Sequence, residues 1–316
     1  MDRMLLKMRQ AMSLEDKIKF TQRRIHEWVD HFGIGYIYIY ISFSGGKDST
    51  VLMHLVRELY PDAKAMFVDT GLEYPEIKQF VKTFDNVDII RPKKMFNEVI
   101  KEYGFPIISK EVSECVDQAR KSLACNGEKY SYRLKQINGE RLTKDGKPSP
   151  YNYKKWKFLM DAPFKISNKC CNIMKKGPSH KYYKDTGRVP IIGTMAEESK
   201  LRESQYLRQG CNGFNNKIPT STPIAFWTEQ DILKYLKEFE VPYCSAYGEI
   251  KVNEDGKYYT TGCQRTGCMF CGYGCHLEEE PNRFQKLKVT HNKQYDYIIN
   301  KLGMGEVLDF IGVNYE

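Results

Sequence analysis

Residues 36–43 read Tyr-Ile-Tyr-Ile-Tyr-Ile-Ser-Phe, and the chain runs from them straight into Ser44-Gly-Gly-Lys-Asp-Ser-Thr50. An unbroken β-branched and aromatic run predicts a strand buried on both faces, as strands of parallel sheets are. Two glycines directly after it predict a sharp turn into a helix. That helix is predicted over 51–60, with Pro61 ending it. Ala65-Met-Phe-Val68 then predicts a second strand, 75–84 a helix and 87–90 a third strand. This β-α-β-α-β rhythm belongs to a doubly wound, mostly parallel α/β sheet. Upstream, apolar residues at helical spacing over 13–31 predict a helix opened by Ser13 with Asp16 three residues on. Downstream, 189–192 reads as another strand and 228–239 as a helix capped by Thr228. A length of 316 residues suggests two domains or one with an appendage. The expected division is an N-terminal helical segment at 1–34, an α/β domain at 35–240 and a cysteine-rich region at 241–316.

In an open parallel sheet, ligands bind where strands end and helices begin. Ser44 to Thr50 occupies such a place. Gly45 and Gly46 let the backbone approach an anion, and the helix that follows offers unpaired N–H groups and partial positive charge. Lys47 adds a cation, while Ser44, Ser49 and Thr50 add hydroxyl donors. The string predicts a phosphate cradle. It is not a Walker A loop, because Asp48 stands after the lysine where Ser or Thr is required.

Ten cysteines call for a chemical account. Residues 1–10 contain no apolar h-region, so the expectation is a cytoplasmic protein whose thiols are free, metal-bound or catalytic rather than a disulfide framework. No apolar run approaches the roughly 20 residues that span a bilayer. Cys170-Cys171 is a tandem pair, Cys268-Met-Phe-Cys271 is a C-x-x-C, and Cys263 and Cys275 flank the latter. A C-x-x-C turn aims two thiolates at one centre, a spacing common to zinc and iron–sulfur sites. Zn2+ would use Cys263 or Cys275 with the C-x-x-C. Cys115, Cys125 and Cys244 read as small apolar residues. Cys211, in Gln-Gly-Cys-Asn-Gly, reads either as another of these or as a mobile sulfur carrier.

The formal charge of +9 is local. Residues 120–188 hold 18 Lys or Arg against five Asp or Glu, so the remainder is slightly acidic. Within that stretch, 126–157 interleaves Tyr130, Tyr132, Tyr151, Tyr153 and Trp156 with Lys129, Arg133, Lys135, Arg141, Lys147, Lys154 and Lys155, and it reads as an insertion. Cations neutralise phosphates and aromatic rings stack on unpaired bases, which suits a nucleic-acid partner; a solvated basic loop has the same composition.

Ser44-Gly-Gly-Lys-Asp-Ser49 resembles the PP-loop of the adenine-nucleotide α-hydrolase superfamily, which includes ATP pyrophosphatases and phosphoadenosine phosphosulfate (PAPS) reductases. Asp69-Thr-Gly-Leu-Glu-Tyr-Pro75, Tyr103-Gly-Phe-Pro-Ile-Ile-Ser-Lys110 and Pro223-Ile-Ala-Phe-Trp-Thr-Glu-Gln-Asp231 resemble stretches of the PAPS reductase-like branch. The likeness spans roughly residues 35–290. It implies a Rossmann-like fold, binding of ATP or an adenylylsulfate, chemistry at the α-phosphate and Mg2+ on the pyrophosphate. Asp69 would lie near the adenosine. Gly193-Thr-Met-Ala-Glu-Glu-Ser-Lys-Leu-Arg202 resembles the family's phosphate-side segment, which makes Arg202 and Arg188 candidate anion contacts. The tandem-Cys segment resembles that of adenylylsulfate reductases, in which Cys-Cys and a distant C-x-x-C hold a [4Fe-4S] cluster; the implied ligands are Cys170, Cys171, Cys268 and Cys271. Reductases of this family also carry a nucleophilic cysteine in a Glu-Cys-Gly-x-His segment, and no cysteine follows Cys275 here.

The favoured expectation is an ATP pyrophosphatase-type sulfur-transfer enzyme with catalytic Lys47, Asp48 and Ser49 that adenylates a nucleic-acid acceptor. A cysteine desulfurase as sulfur source follows from the resemblance alone. One alternative is an APS or PAPS reductase using Cys211 or Cys275 with a thioredoxin-type partner. Another is a non-catalytic, zinc-containing nucleic-acid binder.

Overall fold

The computed structural model describes residues 2–32 and 35–316, with only the backbone of Gly35 and Tyr36. Met1, Gly33 and Ile34, part of the segment delimited above as 1–34, lie outside the described residues. In chain order the first elements are α1 (Arg3–Gln10), α2 (Leu14–His31), β1 (Ile39–Ser42), α3 (Lys47–Leu59), β2 (Ala65–Val68), α4 (Pro75–Val81) and β3 (Val87–Ile90). Then come α5 (Phe96–Tyr103), β4 (Ile107–Ile108), α6 (Lys110–Ala124), α7 (Ser131–Asn138), α8 (Lys169–Cys171) and α9 (Gly177–Thr186). The next are β5 (Val189–Ile192), α10 (Lys200–Gln209), β6 (Asn212–Gly213), β7 (Thr220–Ser221), α11 (Glu229–Glu238), β8 (Ile250–Val252), β9 (Tyr258–Thr260) and β10 (Gly272–Tyr273). Short helices at Arg283–Thr290, Asn292–Asp296 and Met304–Phe310 follow.

The chain forms two compact units, each assembled from three stretches. The first comprises Met1–Asp69, Glu73–Arg91 and Pro178–Gly267. Its six-stranded sheet has the order β3-β2-β1-β5-β7-β6, parallel except for β6. The order reverses direction between β1 and β5, and that switch point places the turn after β1 at the sheet's carboxyl edge. The expected α/β class is the observed one. Two local details differ. Residues 35–38 form a 3-10 turn, so the strand begins only at Ile39. α3 begins at Lys47 rather than Val51, because Gly46 serves as its N-cap and the Gly46 carbonyl accepts from Thr50 N (3.0 Å), Ser49 Oγ (2.9 Å) and Thr50 Oγ1 (3.0 Å). Most of the cradle is therefore the first turn of a helix.

The core packs Trp28 and Ile25 of α2, Ile39 and Ile41 of β1, and Leu52 of α3 with Phe226 and Trp227, all under 1% exposed. The Trp227-x-x-x-Asp231 string is scaffolding. Trp227 Nε1 donates to Thr21 Oγ1 (2.9 Å), and Asp231 caps α11 while accepting from the buried Lys17 Nζ (2.6 Å). This carboxylate–ammonium pair pins α2 to α11, and removing either partner would strand a buried charge.

The second unit comprises Thr70–Leu72, Pro92–Gly177 and Cys268–Glu316. β4 pairs in parallel with β10. Gly104, at φ +103°, lets residues 165–167 pass against the backbone: a Cβ there would lie 2.2 Å from Lys165 C. Phe105 N donates to Lys165 O (2.8 Å) and Ser167 N to Phe105 O (3.2 Å), fastening that segment ahead of the tandem cysteines. Residues 126–157 contribute α7 and the first turn of a 3-10 helix over Lys154–Asp161. Among the described residues no helix is long and apolar enough to cross a membrane.

Candidate functional site

The glycine turn of the first unit is built as its residues dictate. Gly45 sits at φ +71°, and a Cβ there would lie 2.9 Å from Ile77 Cγ2, so helix α4 leaves room for glycine alone. Ser44 N donates to Ser49 Oγ (3.2 Å), and the two hydroxyls lie 3.0 Å apart. Lys47 N donates to Tyr247 Oη (3.1 Å), which also pairs with Thr266 Oγ1 (2.7 Å). Gly193, at the end of β5, comes so close that a Cβ would meet Asp48 O at 3.0 Å.

A cavity of ≈ 160 Å³ opens here, and Ser44, Gly46, Lys47 and Asp48 line it together with Glu198, Glu229 and Arg265. Lys47 Nζ donates to Gln264 O (2.7 Å) and pairs with Glu229 Oε1 (3.0 Å). Asp48 is the exception to good pairing. Its Oδ1 is buried without a hydrogen-bond partner. Burial pushes its carboxyl up to about 6; Glu198 and Glu229 push the same way, while Lys47 and Arg265 oppose them. A buried carboxylate oxygen that no donor satisfies is costly to ionise until a donor or a cation meets it.

Ser44, Gly46, Lys47 and Asp48 thus share one cavity, with Gly45, Ser49 and Thr50 forming its frame. Asp69 ends β2, where it pairs with Lys78 (2.7 Å) and Arg91 (3.3 Å). Arg202, on α10, forms a close ion pair with Glu198, a cavity residue. Arg188 is not brought to the loop: it precedes β5, at the opposite end of the sheet from Gly193, and its Nε donates to Ile37 O (2.9 Å). Glu198 and Glu229 were within quoted motifs without being singled out. Arg265, Tyr247 and Thr266 carried no sequence signal, since only the fold returns residues 247–267 to the loop.

In the second unit, burial first and then Cys171, Cys268 and Cys271 hold the Cys170 thiol above the ordinary range. Burial pushes Cys271 up to about 11, with Cys268 and Cys171 adding to it. The four expected thiols therefore act on one another. Among the described residues no three His, Cys, Asp or Glu side chains form a group that could hold a single metal ion. Cys263 belongs to the first unit. Cys275 is buried, and its Sγ donates to Gly272 O (3.2 Å). Cys211 is 4% exposed and burial pushes its thiol up to about 12, so it is a core residue and not a mobile carrier. Three of the arm's five aromatic residues, Tyr130, Tyr132 and Tyr151, are exposed, while Tyr153 and Trp156 are half-buried.

A family profile described as "Phosphoadenosine phosphosulfate reductase domain" matches residues 38–121 and 107–272, well over half of the chain. The chain belongs to the PAPS reductase domain family. Among relatives of this PAPS reductase-domain protein is an adenosine 5′-phosphosulfate reductase of Staphylococcus epidermidis, 25% identical over 230 residues, covering 71% of this chain and 68% of that one. The uncharacterized protein MJ0973 of Methanocaldococcus jannaschii is 38% identical over 240 residues; the match covers 75% of this chain but 42% of MJ0973. The U34-tRNA thiolase NcsA from Methanococcus maripaludis, solved with its [4Fe-4S] cluster, aligns with a TM-score of 0.36 at 13% identity over 96% of this chain and 82% of that one. Several curated relatives that share this domain are named adenosine 5′-phosphosulfate reductases.

Proposed function

We propose that this family member is an ATP pyrophosphatase-type sulfurtransferase that adenylates a nucleic-acid acceptor. The observation that carries the reading is the Asp48 carboxylate, a buried oxygen without a hydrogen-bond partner in a glycine cradle beside Lys47. The amides of the turn and of the α3 N-terminus bind the β- and γ-phosphates. Lys47, drawn from Glu229 by the incoming anion, offsets charge developing on the leaving pyrophosphate. Asp48 holds the Mg2+ that accompanies ATP. An acceptor oxygen attacks the α-phosphorus, the bond to the β-phosphate oxygen breaks, and pyrophosphate leaves. A sulfide-level nucleophile (HS−) then attacks the acceptor carbon that bears the adenylated oxygen, the C–O bond breaks, and AMP leaves with that oxygen. ATP-dependent pyrophosphate release in the presence of RNA or DNA tests this, and no release with either would refute it.

The thiols of Cys170, Cys171, Cys268 and Cys271 influence one another, and the likeness of the tandem-Cys segment to that of adenylylsulfate reductases favours a cluster over zinc. Cys170, Cys171, Cys268 and Cys271 would hold a [4Fe-4S] cluster, which would supply iron to bind a sulfur species. Anaerobically purified protein is expected to be brown, with absorbance at about 400 nm that Cys170→Ser or Cys271→Ser abolishes. A colourless protein with stoichiometric zinc would overturn the assignment.

The reductase reading requires an activated thiol. Reactive cysteines are exposed and have depressed pKa values. Cys211 and Cys275 are buried, and burial pushes them up to about 12 and about 11. Cys211→Ser is expected to leave product formation unchanged. Thioredoxin-dependent sulfite release that this variant abolishes would restore the reductase reading.

A further inference from the structure

A second cavity, of ≈ 380 Å³, lies wholly within the second unit and belongs to none of the chemistry above. One wall is a single helical face of α6: Asp117, Arg120, Lys121 and Ala124 stand at positions i, i+3, i+4 and i+7. The opposite walls are Glu102 and Tyr103 at the end of α5, and Lys165, Ile166, Ser167 and Lys169. Four cations thus face two carboxylates. Both carboxylates are already engaged, Asp117 by Lys121 at 2.7 Å and Glu102 by a close pair with Lys94.

The cavity is built rather than incidental. Arg120 donates to Phe164 O (2.7 Å), Leu159 O (2.7 Å) and Ala162 O (2.8 Å), which fixes its guanidinium and leaves Nε buried without a partner. Lys165 Nζ lies over Glu102 O (3.3 Å) at the carboxyl end of α5. The Gly104 contact locks the 165–167 wall to the backbone. Tyr103, Ile166 and the side chain of Ala124 add a non-polar surface between the charges.

We propose that this cavity seats one nucleotide of a single-stranded nucleic acid. Its phosphate lies among Arg120, Lys121, Lys165 and Lys169, and its base lies against Tyr103. Volume, surplus positive charge and an aromatic wall match that ligand, and a bare anion would leave the apolar surface uncovered. The site deepens the acceptor reading above and rests on it. It also explains why the basic surplus extends beyond 126–157 to Arg120, Lys165 and Lys169.

The test is binding of a fluorescent single-stranded RNA and of its DNA counterpart, without ATP, across a salt series. Lys121→Gln with Lys165→Gln, both at exposed positions, is expected to weaken binding at least tenfold at low salt and to flatten the salt dependence by one to two phosphates. Lys121→Arg with Lys165→Arg should bind as wild type. Unchanged binding by the Gln pair, while Lys154→Gln with Lys155→Gln weakens it, would overturn the cavity assignment and leave the nucleic-acid acceptor standing. Equal competition by polyglutamate or inorganic phosphate would also overturn it. No binding of either oligonucleotide would remove both, while pyrophosphate release separately tests the ATP chemistry.

Discussion

Asp48→Asn should make the ligand-free protein more stable and catalytically silent. The two effects share one cause. In the fold, burial lifts the carboxyl from 3.8 to about 6, so ionising it costs more in the native state than in the unfolded chain. Well below pH 3.8 both states hold the proton and no penalty exists. As pH rises toward 6 the unfolded chain ionises first, and native stability falls. Above that range the full difference, about 3 kcal/mol, weighs against the fold. Asparagine carries no charge and escapes it. Thermal melts of the two proteins should coincide well below pH 3.8 and separate by several degrees at pH 7.5, the variant being the more stable. The same substitution removes the cation ligand proposed above, so pyrophosphate release should fall by at least a hundredfold. Added Mg2+ and nucleotide should stabilise the wild type above pH 6 and have far less effect on the variant. A variant that melts below wild type at pH 7.5 while retaining turnover would show that Asp48 is a structural residue.

Gly104→Ala should damage the second unit severely. The added Cβ would lie 2.2 Å from Lys165 C, 2.3 Å from Lys165 O and 2.6 Å from Ile166 N, all backbone atoms that cannot rotate aside. The φ of +103° adds strain for any L side chain. Overpacking and strain together predict a loss of roughly 3 kcal/mol or more, and a fall in Tm on the order of 10 °C. Gly127→Ala is the matched control. Its φ of +81° imposes strain, but nothing stands within 4 Å, so about 1–2 kcal/mol is expected there. Because residues 165–167 lead directly to Cys170, the Gly104 variant should also lose its chromophore at about 400 nm, whereas the Gly127 variant keeps it. Equal melts for the two variants would mean that the segment can move aside.

The elements legible in the sequence were those decided by local pattern. β2, β3 and β5 fall on the predicted residues, because short apolar runs bounded by turns have one reading in a β-α repeat. The glycine turn was legible because its chemistry is local. What the sequence left dark depends on closure of the chain over long distances. Arg265, Thr266 and Tyr247 reach the loop by way of the fold alone. Arg188 was a candidate anion contact through the family likeness of the neighbouring 193–202 segment. In a parallel sheet, the amino end of β5 is remote from the carboxyl end of β1, and only the strand pairing reveals which end a residue occupies. The second cavity was dark for the same reason, since its cations come from α6 and from residues 165–169. Cys211 had two readings because glycines lie close on both sides of it, and the buried one holds: it stands just before β6 and is 4% exposed.

The pairing of β1 with β5 has a bearing on synthesis. β1 is flanked by β2 within some 25 residues, but its other neighbour is made about 150 residues later, after most of the second unit. Until then a nascent chain carries an apolar strand with one open edge, beside the glycine turn of Ser44–Thr50. Such edges recruit other strands, and pairings across so long a separation form slowly. A ribosome pausing between residues 92 and 188 would therefore prolong the most aggregation-prone interval in the life of this protein. Chaperone occupancy on stalled chains should peak there and drop once Ile192 has emerged.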